Sequence, residues 1–120
     1  MVVTNYARER VALFIGNSGP SPPTFFIIGS GSGTAAITQT ELIAPTDKQA
    51  VTATTYPAVQ KVTKQGDWNS VEISGLDLKE FGVVGSEAGL TGSVWSRTSI
   101  PSVTFDGTNE LRIETTWEVF

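Results

Sequence analysis

Leu111-Arg112-Ile113-Glu114-Thr115-Thr116-Trp117-Glu118-Val119 is the stretch on which the reading of the fold turns. Leu111, Ile113, Thr115, Trp117 and Val119 alternate with Arg112, Glu114, Thr116 and Glu118. Successive side chains of a strand point to opposite faces, so this order predicts a strand with one face buried and the other charged. Asp106-Gly107-Thr108-Asn109 stands just before it, and Gly and Asn both tolerate positive φ, so a turn feeds the strand.

Working outward, Val94-Trp95-Ser96-Arg97 and Pro101-Ser102-Val103-Thr104-Phe105 read as two further short strands. Trp68, Val71, Ile73 and Leu76, separated by polar residues and Gly75, suggest another with one apolar face. Residues 79–85 could be its neighbour, and residues 87–92 read as a tight connection. Residues 51–56 are rich in β-branched side chains and residues 59–63 continue the stretch, with Pro57 expected at an edge, a bend or a bulge. Thr24-Phe25-Phe26-Ile27-Ile28 is a short apolar run between turn residues, the pattern of a strand buried on both faces.

Helix is expected in one place. Residues 4–15 set Tyr6, Arg10 and Leu13 near one face with Ala7, Val11 and Phe14 beside them, and the glycines and prolines of residues 16–23 then break the helix. Thr38-Gln39-Thr40-Glu41 has capping-box spacing, but Pro45 leaves room for at most a single turn. The expectation is a mainly β chain: an antiparallel, jelly-roll-like β-sandwich of six to seven short strands with one N-terminal helix. Residues 1–120 form a single domain in this reading, with residues 1–16 as helix or arm and residues 24–120 as sandwich. No internal repeat is visible.

Composition removes much chemistry. The 120 residues contain neither cysteine nor histidine, so disulfides, thiolate metal sites, imidazole bases and Ser-His-Asp triads are excluded. Eight basic residues against twelve acidic ones give a net charge of −4, and the basic residues are scattered, so nucleic acid is not an expected partner. No window approaches the roughly 20 apolar residues of a membrane span. Arg8, Glu9 and Arg10 precede an apolar stretch, residues 11–15, too short for a signal-peptide core, so no export tag is expected.

Several features are candidates for a site. The glycines at 29, 31 and 33 follow a strand but match neither a P-loop nor a dinucleotide fingerprint, which favours a plain flexible loop. Asp67, Asp77, Glu80, Asp106 and Glu110 could supply a catalytic carboxylate pair, although turn and edge positions explain them more simply. The loop at Asp106 and Asn109 has too few carboxylates for calcium. Of the three tryptophans, Trp117 belongs on the buried face of the last strand, Trp68 beside Asp67 and Asn69 is a candidate contact residue, and Trp95 can serve either way. Glu80, inside an apolar strand, needs a partner if buried, and Arg97 is the candidate for an ion pair.

Ser74-Gly75-Leu76-Asp77-Leu78-Lys79-Glu80-Phe81-Gly82-Val83 resembles a segment of small virion proteins and tail-fibre or collar domains of tailed bacteriophages. Gly92-Ser93-Val94-Trp95-Ser96-Arg97 and Asn109-Glu110-Leu111-Arg112-Ile113-Glu114-Thr115-Thr116-Trp117 are similar to later strands of the same proteins, in the same order. Ile27-Ile28-Gly29-Ser30-Gly31-Ser32-Gly33-Thr34, with Thr40-Glu41-Leu42 after it, is similar to their opening. The resemblance implies a non-enzymatic structural protein at the neck or collar, at a fibre attachment or decorating the capsid. It would be assembled in the host cytoplasm as a symmetric homo-oligomer that binds other virion proteins, without cofactor, nucleic acid or membrane. Tyr6, Phe14, Trp68 and Trp95 are the expected contact residues. A carbohydrate-binding or receptor-binding module of a tail fibre is the alternative.

Overall fold

A computed structural model describes residues 1–17, 22–85, 90 and 93–120. Apart from Leu90, the connection expected over residues 87–92 lies outside the described residues. In chain order the elements are β1 (Val2–Val3), α1 (Asn5–Ile15), β2 (Phe25–Gly29), β3 (Pro45–Ala50), β4 (Ala53–Ala58), β5 (Lys61–Trp68), β6 (Asp77–Val84), β7 (Val94–Thr104) and β8 (Leu111–Glu118). They form two antiparallel sheets, β1-β7-β6-β2-β3 and β4-β5-β8, in a sandwich-like arrangement with one N-terminal helix. No helix among the described residues is long and apolar enough to cross a membrane.

The core lies between the sheets. Phe26, Ile28, Leu78, Val83 and Trp95 of the larger sheet pack with Trp68 and Ile113 of the smaller one, and Ile73 and Phe105 join from connections. Burying side chains of this size stabilises by about 1.5–3 kcal/mol each. Gly66 on β5 makes room for Phe26, since a Cβ there would stand 2.5 Å from the ring. On the opposite face of the larger sheet, Leu42 covers Ile27, Val84 and Val94 in a second cluster. These two layers explain why β2 is buried on both sides.

Three expectations about local structure are corrected. Residues 69–75 are turn rather than strand: Asn69 Oδ1 accepts from the backbone N–H groups of Val71 and Glu72, while Glu72 Oε2 accepts from that of Asn69. Ile73 consequently reaches the core while Val71 is left in solvent. Residues 94–104 are one strand, not two, because Pro101 falls where the β6–β7 register shifts between Leu78/Glu80, so no ladder bond needs its missing N–H. Residues 51–63 contain a hairpin instead of one interrupted strand, and Pro57 occupies the bulge on its edge strand β4. β3 is an additional strand, lying mostly before the point where the sequence turns β-rich.

Candidate functional site

Glu80 sits on the outer face of β6, opposite Gly29 of β2. Its carboxylate accepts N–H bonds from Gly31 (3.2 Å), Ile43 (3.1 Å), Ala44 (2.7 Å) and Arg97 Nε (2.8 Å). The Glu80 and Arg97 side chains are both fully buried. Arg97 Nη1 also donates to the Gly33 carbonyl at 3.0 Å, so the pair draws residues 31–44 down onto the sheet. A Cβ at Gly29 or Gly31 would stand 2.7 Å from Glu80 Oε1. These two glycines therefore serve close packing rather than the looseness expected of a plain flexible loop. With both oxygens engaged and no exposure, Glu80 is a structural clasp that no substrate can reach.

Other candidate carboxylates have local partners too. Asp67 is held by Arg112 Nε at 2.7 Å and by Thr52 and Gln65, which push its carboxyl down to about 2. The Ser102 hydroxyl donates to Asp77, with Lys79 alongside, and lowers its pKa. Asp106 accepts from the hydroxyl and backbone N–H of Thr108 within its own turn, which lowers it as well. Each of these shifts favours the ionised form, the reverse of what a general acid needs. Glu110 borders a separate surface hollow with Asp67 and Arg112.

Trp68 and Trp95 are corrected as contact residues. Trp68 is 1% exposed, with its indole N–H donating to Asp47 at 2.9 Å, and Trp95 is 8% exposed. Both tryptophans belong to the core cluster that Ile73 joins and Leu76 packs against, a burial that neighbouring polar residues alone did not reveal. Tyr6 is half-buried, edge-on to Trp95 at 6.3 Å between ring centroids, with the Arg10 guanidinium 4.6 Å above its ring. Phe14 remains 66% exposed.

That contrast arises from how α1 is mounted. Thr4 caps it by accepting from the Ala7 N–H and donates to the Val94 carbonyl at 2.6 Å, while β1 pairs with β7. These bonds seat the first turn, where Ala7 is buried. Val11 and Phe14, at the i+4 and i+7 positions from Ala7, continue the same face but stand exposed, and Ile15 is 80% exposed beside them.

A groove of 590 Å³ opens between α1 and the small sheet. Val3, Ala7, Val11 and Trp95 line one side, and Tyr56, Val62, Trp117 and Val119 the other. Trp117 and Val62 meet there because they are cross-strand partners. Arg8, Lys64 and Glu118 bring charge to the groove, and burial lowers the Lys64 ammonium pKa. Val119, expected on the buried face of the last strand, is instead exposed at this mouth. The sequence signals for this site were the alternation of β8 and the apolar end of α1; that Tyr56 and Val62 join them depends on pairing between distant strands.

The chain matches no family model and no curated protein.

Proposed function

We propose that the chain is a non-enzymatic structural subunit of a tailed-bacteriophage virion, which self-associates and binds neighbouring virion proteins. The observation that carries this reading is the apolar groove beside α1, flanked by exposed Val11, Phe14, Ile15, Tyr56 and Val119. Soluble monomers seldom present such contiguous apolar surface, and where it occurs it commonly marks contact with another molecule. The virion assignment comes from the ordered motifs of residues 27–34, 74–83, 92–97 and 109–117. In this reading Phe14 makes contacts directly and Tyr6 supports the helix that presents it. The place of action is the neck or collar, a fibre attachment or the capsid surface, after assembly in the host cytoplasm.

Immunogold electron microscopy of the parent particles, with an antibody raised against the native chain, tests the proposal. Label on capsid, neck or tail supports it and assigns the position. Particles free of label, with an antibody that recognises native protein, overturn it. One observation favours a sugar-binding or receptor-binding module instead: Trp117 and Tyr56 line the same groove. Glycan-induced quenching of tryptophan fluorescence that disappears in Trp117→Phe would move that reading ahead.

A further inference from the structure

The small sheet ends on β8, whose strand partner among the described residues is β5. An open sheet edge presents unpaired N–H and C=O groups, and proteins guard such edges with short strands, proline, bulges or charge. The other edges here carry guards that shorten or interrupt the ladder itself, whereas β8 carries charge, at Arg112, Glu114 and Glu118. β1 has two residues, β3 begins with Pro45 beside a register shift, and β4 holds Pro57 in a bulge. β8 runs for eight residues without proline, in unbroken register from Leu111↔Trp68 to Glu118↔Lys61. Beside it the seam between the sheets is incompletely filled: a 310 Å³ cleft lies among Leu111, Ile113, Phe81, Ile100 and Val103.

We propose that β8 pairs antiparallel with β8 of a second copy about a two-fold axis through Thr115, joining two three-stranded sheets into one of six strands. The pairing deepens the self-association proposed above and rests on that reading. Charge selects the register. With the axis at Thr115, Arg112 of each copy lies opposite Glu118 of the other, and the contact occurs twice. On the inner face Ile113 meets Trp117 of the second copy, and Leu111 meets exposed Val119 beside the open cleft. Moving the axis to Glu114 sets the two Glu114 carboxylates against each other, and moving it to Thr116 sets Glu114 against Glu118. Like charges directly opposite on a sheet are destabilising. An axis at Ile113 keeps an Arg112–Glu114 pair but leaves Glu118 opposite Thr108, outside the strand. Arg112 already bonds Asp67 through Nε and Glu118 Oε1 stands 4.0 Å from Lys61 Nζ, so the pairing joins the Nη groups of Arg112 to the other carboxylate oxygen of Glu118.

Because the chain has no cysteine, Thr115→Cys places a lone thiol on the axis. Treated with diamide, which takes up the two electrons and two protons released, this variant should form mostly disulfide-linked dimer. Paired residues at the axis fall within the roughly 4.4–6.8 Å Cα separation that a disulfide spans. Val119→Cys should give almost none, since the two copies of that residue lie at opposite ends of the pairing. Glu114→Cys/Thr116→Cys, at two exposed positions that also face each other about this axis, should cross-link as well; it keeps Arg112 and Glu118 and covers the case in which Thr115→Cys fails to fold. Sedimentation equilibrium of the unaltered chain is measured in parallel. If that chain self-associates while the Thr115→Cys and Glu114→Cys/Thr116→Cys proteins stay unlinked, the β8 pairing is overturned and self-association stands. A single 12.8 kDa species at all concentrations, with no cross-linking, overturns both. Val119→Cys linking as readily as Thr115→Cys overturns the register.

Discussion

Glu80 and Arg97 lie seventeen residues apart in sequence and meet at 2.8 Å with no solvent contact. Removing one charge of a buried pair leaves the other desolvated and unpaired, which costs about 3–5 kcal/mol. Glu80→Gln should therefore lower the unfolding free energy obtained from urea titration by an amount of that order; an unchanged value would show that the clasp does not stabilise the fold. Arg97 was legible as the partner because a carboxylate inside an apolar strand needs one. The N–H groups of Gly31, Ile43 and Ala44 were not, since nothing local indicates that residues 31–44 fold back over β6. Asp67 belongs at this scale as well. Its folded pKa of about 2 lies below the ordinary carboxylate value of 3.8, so its contribution is complete above that value and fades as pH falls towards 2. Thermal midpoints at pH 6 and pH 2.5 should consequently fall further for the natural chain than for Asp67→Asn, and equal falls would contradict the assignment.

At the scale of elements, α1 is fastened at its first turn and left uncovered at its last. Thr4→Ala removes the cap and leaves the buried Val94 carbonyl short of a donor, so thermal unfolding should show a loss of about 1–3 kcal/mol. Phe14→Ser touches only an exposed side chain and should change stability by less than about 0.5 kcal/mol. The same substitution should reduce incorporation into particles, measured by quantitative blotting of purified virions; full incorporation would remove Phe14 from the contact surface. Helix position was readable from the spacing of apolar residues over 4–15 and from the glycines and prolines that follow α1. Strand boundaries were less so, and for physical reasons. Asn69 and Glu72 bond to neighbouring backbone and hold residues 69–75 in a turn despite their spaced apolar side chains. Pro101 is tolerated because it falls in the register shift where the step from Ser99 to Val103 on β7 faces the shorter step from Leu78 to Glu80 on β6, and it needs no ladder bond there.

Considered as a whole molecule, the sandwich is closed on its larger sheet by residues 31–44 and left open along β8 and the groove beside α1. The strict alternation of β8 made the layered architecture readable from nine residues. The groove could not be read in the same way, because its walls come from β1, α1, β7 and all three strands of the smaller sheet, which only tertiary pairing brings together. Charge pairs at an exposed sheet junction are screened by salt, so the β8 association should weaken as ionic strength rises. Sedimentation equilibrium at low and high salt would register this, and association that strengthens with salt would point to the apolar groove as the main contact. The central claim is that this chain is a subunit completed by other chains. Its most direct test is the mass of the purified native protein in solution across a wide concentration range. A self-associating subunit gives a multiple of 12.8 kDa, whereas one 12.8 kDa species throughout would rule that role out.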